Sequence, residues 1–170
     1  MLERITRPRG HTLTELLTVL AVIAIIAAAA VPAFSRLLLD SRRNATVTSA
    51  MHAVNLARQL AAIRDEPIHL CGTQDERACS GRTDWSGSLL LANDSDQPLR
   101  VLPLAAAGQV PRVRSNRPVV RFEGGSGFAS PATLTFCDRR GSRAALALII
   151  SRSGRPRVSA RDASDRLLAC

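Results

Sequence analysis

The chain has 170 residues, a formal net charge of +9, and few aromatic residues: one Trp, four Phe and no Tyr. This length accommodates one modest domain beside a hydrophobic N-terminal arm, and nothing in the sequence indicates an internal repeat or a second domain. The scarcity of aromatic rings argues against a protein that stacks single-stranded bases, and the absence of a CxxC pair argues against a zinc ribbon.

The N-terminal arm combines a basic leader with a long apolar run. Arg4, Arg7 and Arg9 precede Gly10, and after the lone acid Glu15 no charge occurs in residues 16–34. The run is too long for the core of a secretory signal, and no small-residue cleavage site follows it. Its length predicts a membrane-spanning helix with the leader on the cytoplasmic side and the remaining chain facing outward.

The stretch "RGHTLTELL" resembles the leader and cleavage motif of type IV prepilins. In that family an inner-membrane prepilin peptidase cuts after the glycine and methylates the new N-terminal amine. The resemblance implies a leader of residues 1–10 that ends at Gly10, and a mature chain that begins at N-methylated His11, where the family usually has Phe. It also implies that Glu15 is the assembly glutamate and that Pro32 kinks the helix.

The position of Glu15 has a physical reason in this interpretation. A carboxylate at membrane depth is costly and normally has a charged partner. Cleavage after Gly10 creates such a partner, the free amine of His11, in the same subunit or in a neighbour within a filament. The alternative is a carboxylate that only lies in the headgroup layer; the leader and Gly10 favour pairing.

Beyond Pro32, apolar residues recur at steps of three and four and predict one apolar helix face. They are Val47, Ala50, Met51, Val54, Ala57, Leu60 and Ala61. Pro67 predicts the end of the helix, because the residue before a proline is pushed out of the α region. We therefore predict one helix over residues 12–65, bent near Pro32. Residues 11–35 form its transmembrane and filament-core part, and residues 36–66 form an amphipathic stem.

Residues 67–170 are predicted to form a β-rich periplasmic head. The runs PIHLCG, WSGSLLLAND, RVLPLA, VVRFE, ATLTFCD, ALALIIS and RPRVSA are short and apolar or alternating, with Gly, Pro, Asn and Asp between them. This pattern predicts an antiparallel sheet of six or seven strands folded against the stem helix. The fold class is therefore α+β.

The head extends the family resemblance. "CGTQDERACSGRTDWSGSLLL" and "GFASPATLTFCDRRGSRAALALIISRSGRPRVS" resemble the FimT/GspH group of minor pilins and pseudopilins. That group has a cysteine-bounded loop, a T-x-x-F-C-D-x-R-G strand and turn, and an I-S-x-S-G-R-x-R end. Residues 96–121 match it least. The resemblance implies a type IV pilin-like fold, with a long N-terminal helix packed against an antiparallel head.

Four cysteines on an exported chain predict disulfides, and the sequence alone allows three connectivities. With the resemblance, the simplest pairing is Cys71–Cys79, which closes a short loop, and Cys137–Cys170, which ties the tail to a strand. A rival interpretation makes His69, Cys71 and Cys79 metal ligands, but a fourth ligand is missing and an exported thiol site would oxidise. We predict neither a metal nor a cofactor.

The basic residues are all arginine and lie mostly in the C-terminal half. Residues 100–170 contain thirteen Arg and four acidic residues, whereas residues 45–99 contain four Arg and seven acidic residues. A one-sided basic field favours a polyanion such as nucleic acid, acidic lipid or an acidic protein surface. The alternative is a well-solvated, arginine-rich surface with no such partner.

The segment "SRSGRPRVSARD" is the sharpest basic feature. Gly154 permits a tight turn, and Arg155 and Arg157 flank the stiff Pro156 and point to one side of an extended chain. Guanidinium groups in this arrangement can each bind a phosphate through two parallel hydrogen bonds. We expect further arginines to gather near Arg155 and to complete a phosphate-binding patch. They are Arg139, Arg140, Arg143 and Arg152.

The resemblance gives this segment a function. FimT-type minor pilins of natural transformation bind DNA through a C-terminal G-R-x-R motif, which residues 154–157 match position by position. It implies a minor pilin of the inner membrane, with its head in the periplasm and later in an extracellular pilus. Its expected partners are double-stranded DNA, other pilins and the prepilin peptidase.

The alternative is a structural minor pilin or type II secretion pseudopilin that does not bind DNA and whose basic hairpin sets solubility or contacts acidic neighbours. No nucleophile elbow, HExxH motif or phosphate loop occurs, so we predict that the chain is not an enzyme.

Overall fold

A computed structural model describes residues 12–104 and 111–170; the predicted leader, with Gly10 and His11, lies outside them. The chain divides into two compact units, of which the second is Leu39–Cys170. One helix, α1, comprises Leu13–Arg64. Eight strands follow among the described residues: β1 Ile68–Thr73, β2 Ser88–Asn93, β3 Pro98–Pro103, β4 Arg112–Ser115, β5 Val119–Phe122, β6 Ala132–Cys137, β7 Leu146–Ile150 and β8 Pro156–Ser159. A 3-10 turn, Gly141–Ala144, lies between β6 and β7.

The first unit consists, where it is described, of the apolar half of α1. The Oγ1 of Thr12 accepts a hydrogen bond from the backbone N–H of Glu15 (3.3 Å) and caps the helix. Glu15 lies in the first turn, where a carboxylate interacts favourably with the helix dipole. The apolar side chains that follow are exposed, and the helix is long and apolar enough to cross a membrane. Pro32 lies inside the helix.

The second half of α1 carries the predicted apolar face. The helix ends at Arg64, one residue before the predicted end. Its fully or nearly buried apolar residues are Val47, Ala50, Ala53, Val54, Ala57 and Ala61. Met51 and Leu60 are half-buried against the same core. After the helix the backbone N–H of Gly125 donates to the carbonyl oxygen of Ala61 (3.2 Å), which supplies one of the partners that a helix end needs.

The head contains two four-stranded antiparallel sheets, whereas the sequence predicts one. The first sheet has the order β3-β2-β1-β5 and the second β4-β6-β7-β8. The seven predicted runs contain seven of the strands. The missed strand is β4, "RVRS", whose two arginines left no apolar run to detect. Consecutive β4 and β5 join different sheets, and this crossing divides one predicted sheet into two.

A single core lies between the stem part of α1 and the inner faces of both sheets. The second sheet contributes Val113, Leu134, Phe136, Leu148 and Ile150 to it. The alternate residues of the same strands face outward. Cys137, Ala147 and Ile149 of that outer face form a smaller cluster with Leu168 of the tail. The C-terminal tail therefore packs on the outer face of the second sheet.

Candidate functional site

The predicted Gly-Arg-Pro-Arg segment forms part of the β7–β8 hairpin. The backbone N–H of Ser151 donates to the carbonyl oxygen of Arg155 (3.1 Å), and that of Gly154 donates to the carbonyl oxygen of Ser151 (2.9 Å). The hydroxyl of Ser151 also donates to the Arg155 carbonyl oxygen (3.1 Å). Backbone groups and one hydroxyl thus hold the turn, so the arginine side chains are not needed to close it.

Gly154 is required at the base of this turn for two reasons. Its φ is +71°, in the left-handed region that favours glycine. A Cβ at this position would also collide with the carbonyl oxygen of Gly127 and lie 3.0 Å from Cδ of Arg58. The hairpin is therefore packed directly on the Gly127 loop and on an arginine of α1.

The hairpin presents three arginines to solvent. Arg152, Arg155 and Arg157 are all exposed. Their guanidinium groups make no hydrogen bond or ion pair within residues 12–104 and 111–170. Arg157 is paired in register with Ile149, which places it on the outer face of the second sheet. Such guanidinium groups are available to phosphate oxygens from outside the chain.

The predicted gathering of all six arginines at one edge is wrong. Arg139, Arg140 and Arg143 lie in the connection between β6 and β7, before Leu146, whereas Arg152 and Arg155 follow Ile150 at the other end of β7. The four steps of extended chain from Leu146 to Ile150 separate these two ends by roughly 13 Å, at about 3.3 Å per step. The two connections of one strand necessarily lie at its opposite ends.

Arg140 is also engaged within the head. Its Nε donates to both carboxylate oxygens of Asp138 (3.1 Å each), and its Nη2 donates to Asp138 Oδ2 (2.6 Å) and to Asp40 Oδ1 (2.8 Å). Arg43 on α1 pairs with the same Asp40 (3.0 Å) and donates to the carbonyl oxygen of Ala144. Arg140 therefore fastens the β6–β7 connection to the stem helix.

This network shifts the pKa values of its members in the directions that favour their charged forms. Hydrogen bonds from the Arg140 side chain lower the pKa values of Asp138 and Asp40, and the same two carboxylates raise the pKa of Arg140. The side chain of Asp138 is only 7% exposed, so its charge depends on Arg140. Arg139 and Arg143, which the network does not include, are exposed.

Three further arginines near these surfaces were missed from the sequence. Arg112 and Arg114 alternate with buried Val113 and Ser115 in β4 and lie on the outer face of the second sheet. Their alternation with residues 113 and 115 has the two-residue period of a strand and could have predicted that both arginines face outward. The side chain of Arg58 packs against Gly154 and Gly127. Arg58 lies four residues after Val54 on an otherwise apolar helix face, and this spacing could have predicted its position.

The cysteines form the disulfides Cys71–Cys79 and Cys137–Cys170, the pairing that the family resemblance implies. Cys71 and Cys79 are thus not thiolates, which removes two of the three ligands in the rival metal interpretation. Cys137–Cys170 ties the end of the tail to the end of β6. The roles predicted for Gly10 and His11 fall outside the described residues, and those of Glu15 and Pro32 stay predictions.

Two family profiles match the sequence. Residues 46–154, more than half of the chain, match the family described as Type II transport protein GspH. Residues 5–31 match the Prokaryotic N-terminal methylation motif. A comparison with curated proteins gives no significant match.

Solved structures give the fold. The type IV minor pilin FimU of Pseudomonas aeruginosa strain PAO1 is 17% identical, with a TM-score of 0.56 over 75% of this chain and 98% of FimU. A second crystal form of FimU gives 20% identity and a TM-score of 0.52 over 80% and 97%. The solution structure of Escherichia coli GspH gives 17% identity and a TM-score of 0.46 over 73% and 92%. The predicted α+β, type IV pilin-like fold is confirmed.

Gly154→Ala is expected to destabilise the head more than Gly141→Ala does. Both glycines have nearly the same φ, +71° and +72°, but Gly141 has open space where its Cβ would lie. Gly141→Ala, the control, should lower the free energy of unfolding by about 1 kcal/mol because alanine disfavours this backbone conformation. Gly154→Ala should lower it by about 1–3 kcal/mol more because of the collision with Gly127. Urea unfolding of a fragment that begins at residue 36 measures both. Equal losses would contradict the packing of the hairpin on the Gly127 loop.

Asp138→Asn is expected to destabilise the head in a pH-dependent way. Because its pKa is lowered in the folded state, Asp138 stabilises the fold above the ordinary aspartate pKa of about 3.9. This contribution is lost as the pH falls from that value through the lowered pKa. We expect the variant to lower the free energy of unfolding by about 1–2 kcal/mol at pH 7, because solvent partly screens the pair of Asp138 and Arg140. At pH 3 we expect a smaller decrease. Urea unfolding at both pH values tests this, and a loss that did not change with pH would indicate a packing effect instead.

Proposed function

The chain belongs to the GspH family of type II transport proteins, and we propose that it is a minor type IV pilin that binds DNA through its C-terminal hairpin. The proposed contacts to the phosphate backbone are from Arg155, which follows the turn at Gly154, and from Arg157 of β8. Binding to phosphates is independent of base sequence. Its role is DNA uptake in natural transformation, together with pilus biogenesis.

The location of the chain follows from its N-terminal arm. The methylation motif and the apolar helix anchor it in the inner membrane with its head in the periplasm, and on assembly it enters a pilus or pseudopilus. We further propose that the prepilin peptidase cuts between Gly10 and His11. The new amine of His11 then pairs with Glu15 during assembly with other pilins.

One observation carries the DNA-binding proposal: three exposed arginines of the β7–β8 hairpin have no partner among the described residues. A guanidinium that makes no internal ion pair has no such pair to break when it binds a phosphate. Little chain ordering is required, because Gly154 and the turn hydrogen bonds already hold the backbone. Each phosphate contact also releases condensed counterions, which makes the binding sensitive to salt.

Other exposed arginines extend this surface. Arg139 and Arg143 at the opposite end of β7 form a second basic site, and Arg112 and Arg114 lie on the outer face of the same sheet. A duplex contacts such separated sites at once because its phosphates repeat along its length. Arg140 contributes to the positive field, but its donors are occupied by Asp138 and Asp40.

The second candidate function is a structural pseudopilin of a type II secretion system. The description of the matched family, a type II transport protein, favours it. In that case the arginine hairpin would contact acidic residues of neighbouring subunits. The two functions differ in whether the head alone retards DNA.

Arg155→Gln combined with Arg157→Gln is expected to weaken DNA binding by the head fragment beginning at residue 36. The loss of two phosphate contacts should reduce the slope of log affinity against log salt by about 1.8, at about 0.9 per contact. Gel-shift titrations of a duplex at several salt concentrations measure both quantities.

The matched control is Arg161→Gln combined with Arg166→Gln. It removes the same charge, but from arginines that are ion-paired with Asp165 (3.8 Å) and Asp162 (3.0 Å) in the tail. We expect the control to change affinity and slope less than the hairpin variant. Equal binding by the hairpin variant and the wild type would rule out the named site, and no binding by the wild type would favour the pseudopilin.

Glu15→Gln is expected to leave prepilin cleavage intact and to impair incorporation into filaments. Glutamine keeps the size of the side chain and is, like glutamate, a capping-box residue at the third position of a helix that Thr12 caps. It lacks the charge that attracts the His11 amine. Immunoblots of membrane and sheared-filament fractions measure cleavage and incorporation separately. Wild-type incorporation of the Gln variant would refute charge pairing, and Glu15→Ala reports any additional effect of losing the side chain.

A further inference from the structure

Phe128 is an exposed aromatic residue that the core does not use. Its side chain is 53% exposed, whereas Trp85, Phe122 and Phe136 are fully buried. Phe34, also exposed, belongs to the apolar half of α1. Within the described part of the head, Phe128 is thus the one aromatic ring with a face open to solvent.

The loop that carries Phe128 is firmly held. The carbonyl oxygen of Phe128 accepts a hydrogen bond from the N–H of Glu123 (2.7 Å), and its N–H donates to the hydroxyl of Ser126 (3.3 Å). The N–H of Gly127 donates to the carbonyl oxygen of Glu123 (3.0 Å). The ring is therefore presented on an ordered backbone.

The same loop is joined to the arginine hairpin on both sides of Phe128. The N–H of Ala129 donates to the carbonyl oxygen of Arg152 (2.8 Å). On the other side, Gly154 packs against the carbonyl oxygen of Gly127 with no room for a Cβ. Phe128 thus lies between two direct contacts to the hairpin, and it lines one cleft together with Arg152.

An open cleft of about 430 Å³ adjoins the ring. Its lining includes Phe128, Pro131, Arg121, Glu123 and Arg152. Arg121 is ion-paired with Asp94 (3.2 Å) and Glu123 (3.3 Å), whereas Arg152 has no such partner among the described residues. The cleft therefore combines an aromatic and a proline surface with one unneutralised guanidinium at its border.

We propose that Phe128 is a stacking platform for an unpaired nucleobase, whose flanking phosphates are bound by Arg152 and Arg155. The inference rests on the proposed DNA binding and adds a preference for single-stranded segments or frayed ends. A base stacks on an aromatic ring through its face, which is accessible only when the base has left the duplex. Blunt duplex DNA is bound by the arginines alone.

The surroundings of Phe128 favour a base over a protein partner. The centre of a protein interface is depleted of charged residues, whereas this ring is bordered by Arg121, Glu123 and Arg152. A nucleotide has the complementary arrangement, a flat apolar face with a phosphate on either side. The platform is a single ring, so its expected contribution to the affinity for single-stranded DNA is that of one stacked base.

The test uses the full chain in detergent micelles and two labelled probes, a non-self-complementary single strand and its blunt duplex. Phe128→Ala and Phe128→Leu are expected to weaken single-strand binding about tenfold, the effect of losing one base–aromatic stack, and to leave duplex binding unchanged within about twofold. Leu is the matched control for apolar bulk, because it fills space but has no π face. Phe128→Trp is expected to retain single-strand binding.

A spectroscopic signal reports stacking directly. In Phe128→Trp the introduced indole is exposed, whereas the native Trp85 is buried and gives a constant background. We expect the single strand to quench the added fluorescence and the blunt duplex to leave it unchanged. Retained single-strand binding without quenching would overturn the stacking geometry.

The remaining outcomes separate this inference from the proposed function. If the Arg155→Gln/Arg157→Gln variant loses both DNAs while Phe128→Ala binds both like the wild type, DNA binding stands and the stacking role is overturned. If Phe128→Ala weakens both probes equally, the residue only supports the hairpin, which also overturns it. If single-strand affinity is unchanged and filament incorporation falls, Phe128 belongs to a contact between pilins. If the arginine variant binds both probes like the wild type, the proposed function fails first.

Discussion

Burial of the small-residue face of α1 against both sheets is the contact on which the rest of the head depends. Ala50, Ala53, Ala57 and Ala61 are completely buried, together with Val54. Alanine side chains add little bulk to this face of the helix. The inner faces of both sheets are buried in one core with this helix face, whereas a single open sheet would leave one apolar face exposed to water.

The end of this helix also determines where the candidate site lies. The loop after β5 is hydrogen-bonded to the carbonyl oxygen of Ala61, and further along the loop Gly127 contacts Arg58. Gly154 of the hairpin packs in turn on Gly127. A continuous series of contacts therefore leads from the buried helix to the exposed arginines, and these arginines and Phe128 are displayed on a backbone that needs little reordering to bind.

The arginines of the head fall into two groups with different uses. The first group is ion-paired with carboxylates of the chain and comprises Arg43, Arg121, Arg140, Arg161 and Arg166. The second group consists of the exposed arginines of the β7–β8 hairpin. The few acidic residues of the C-terminal half are occupied by these pairs, so the hairpin arginines keep an uncompensated charge. A formal count of charges along the chain cannot distinguish the two groups, although only the hairpin arginines are available to a polyanion.

The amino-acid sequence determined by itself everything that depends on local periodicity and on short motifs. The helix over residues 13–64, its buried face, seven strand positions and the turn at Gly154 follow from spacings of two to four residues and from Gly and Pro. Only the tertiary structure decided which segments meet. It assigned β4 and β5 to different sheets, placed Arg139 and Arg143 at the far end of β7, and paired Arg140 with Asp40, which lies 100 residues earlier. It also brought Phe128 to the hairpin. These pairings are decided by competition among distant partners, and a pattern within one segment contains no information about which distant segment it meets.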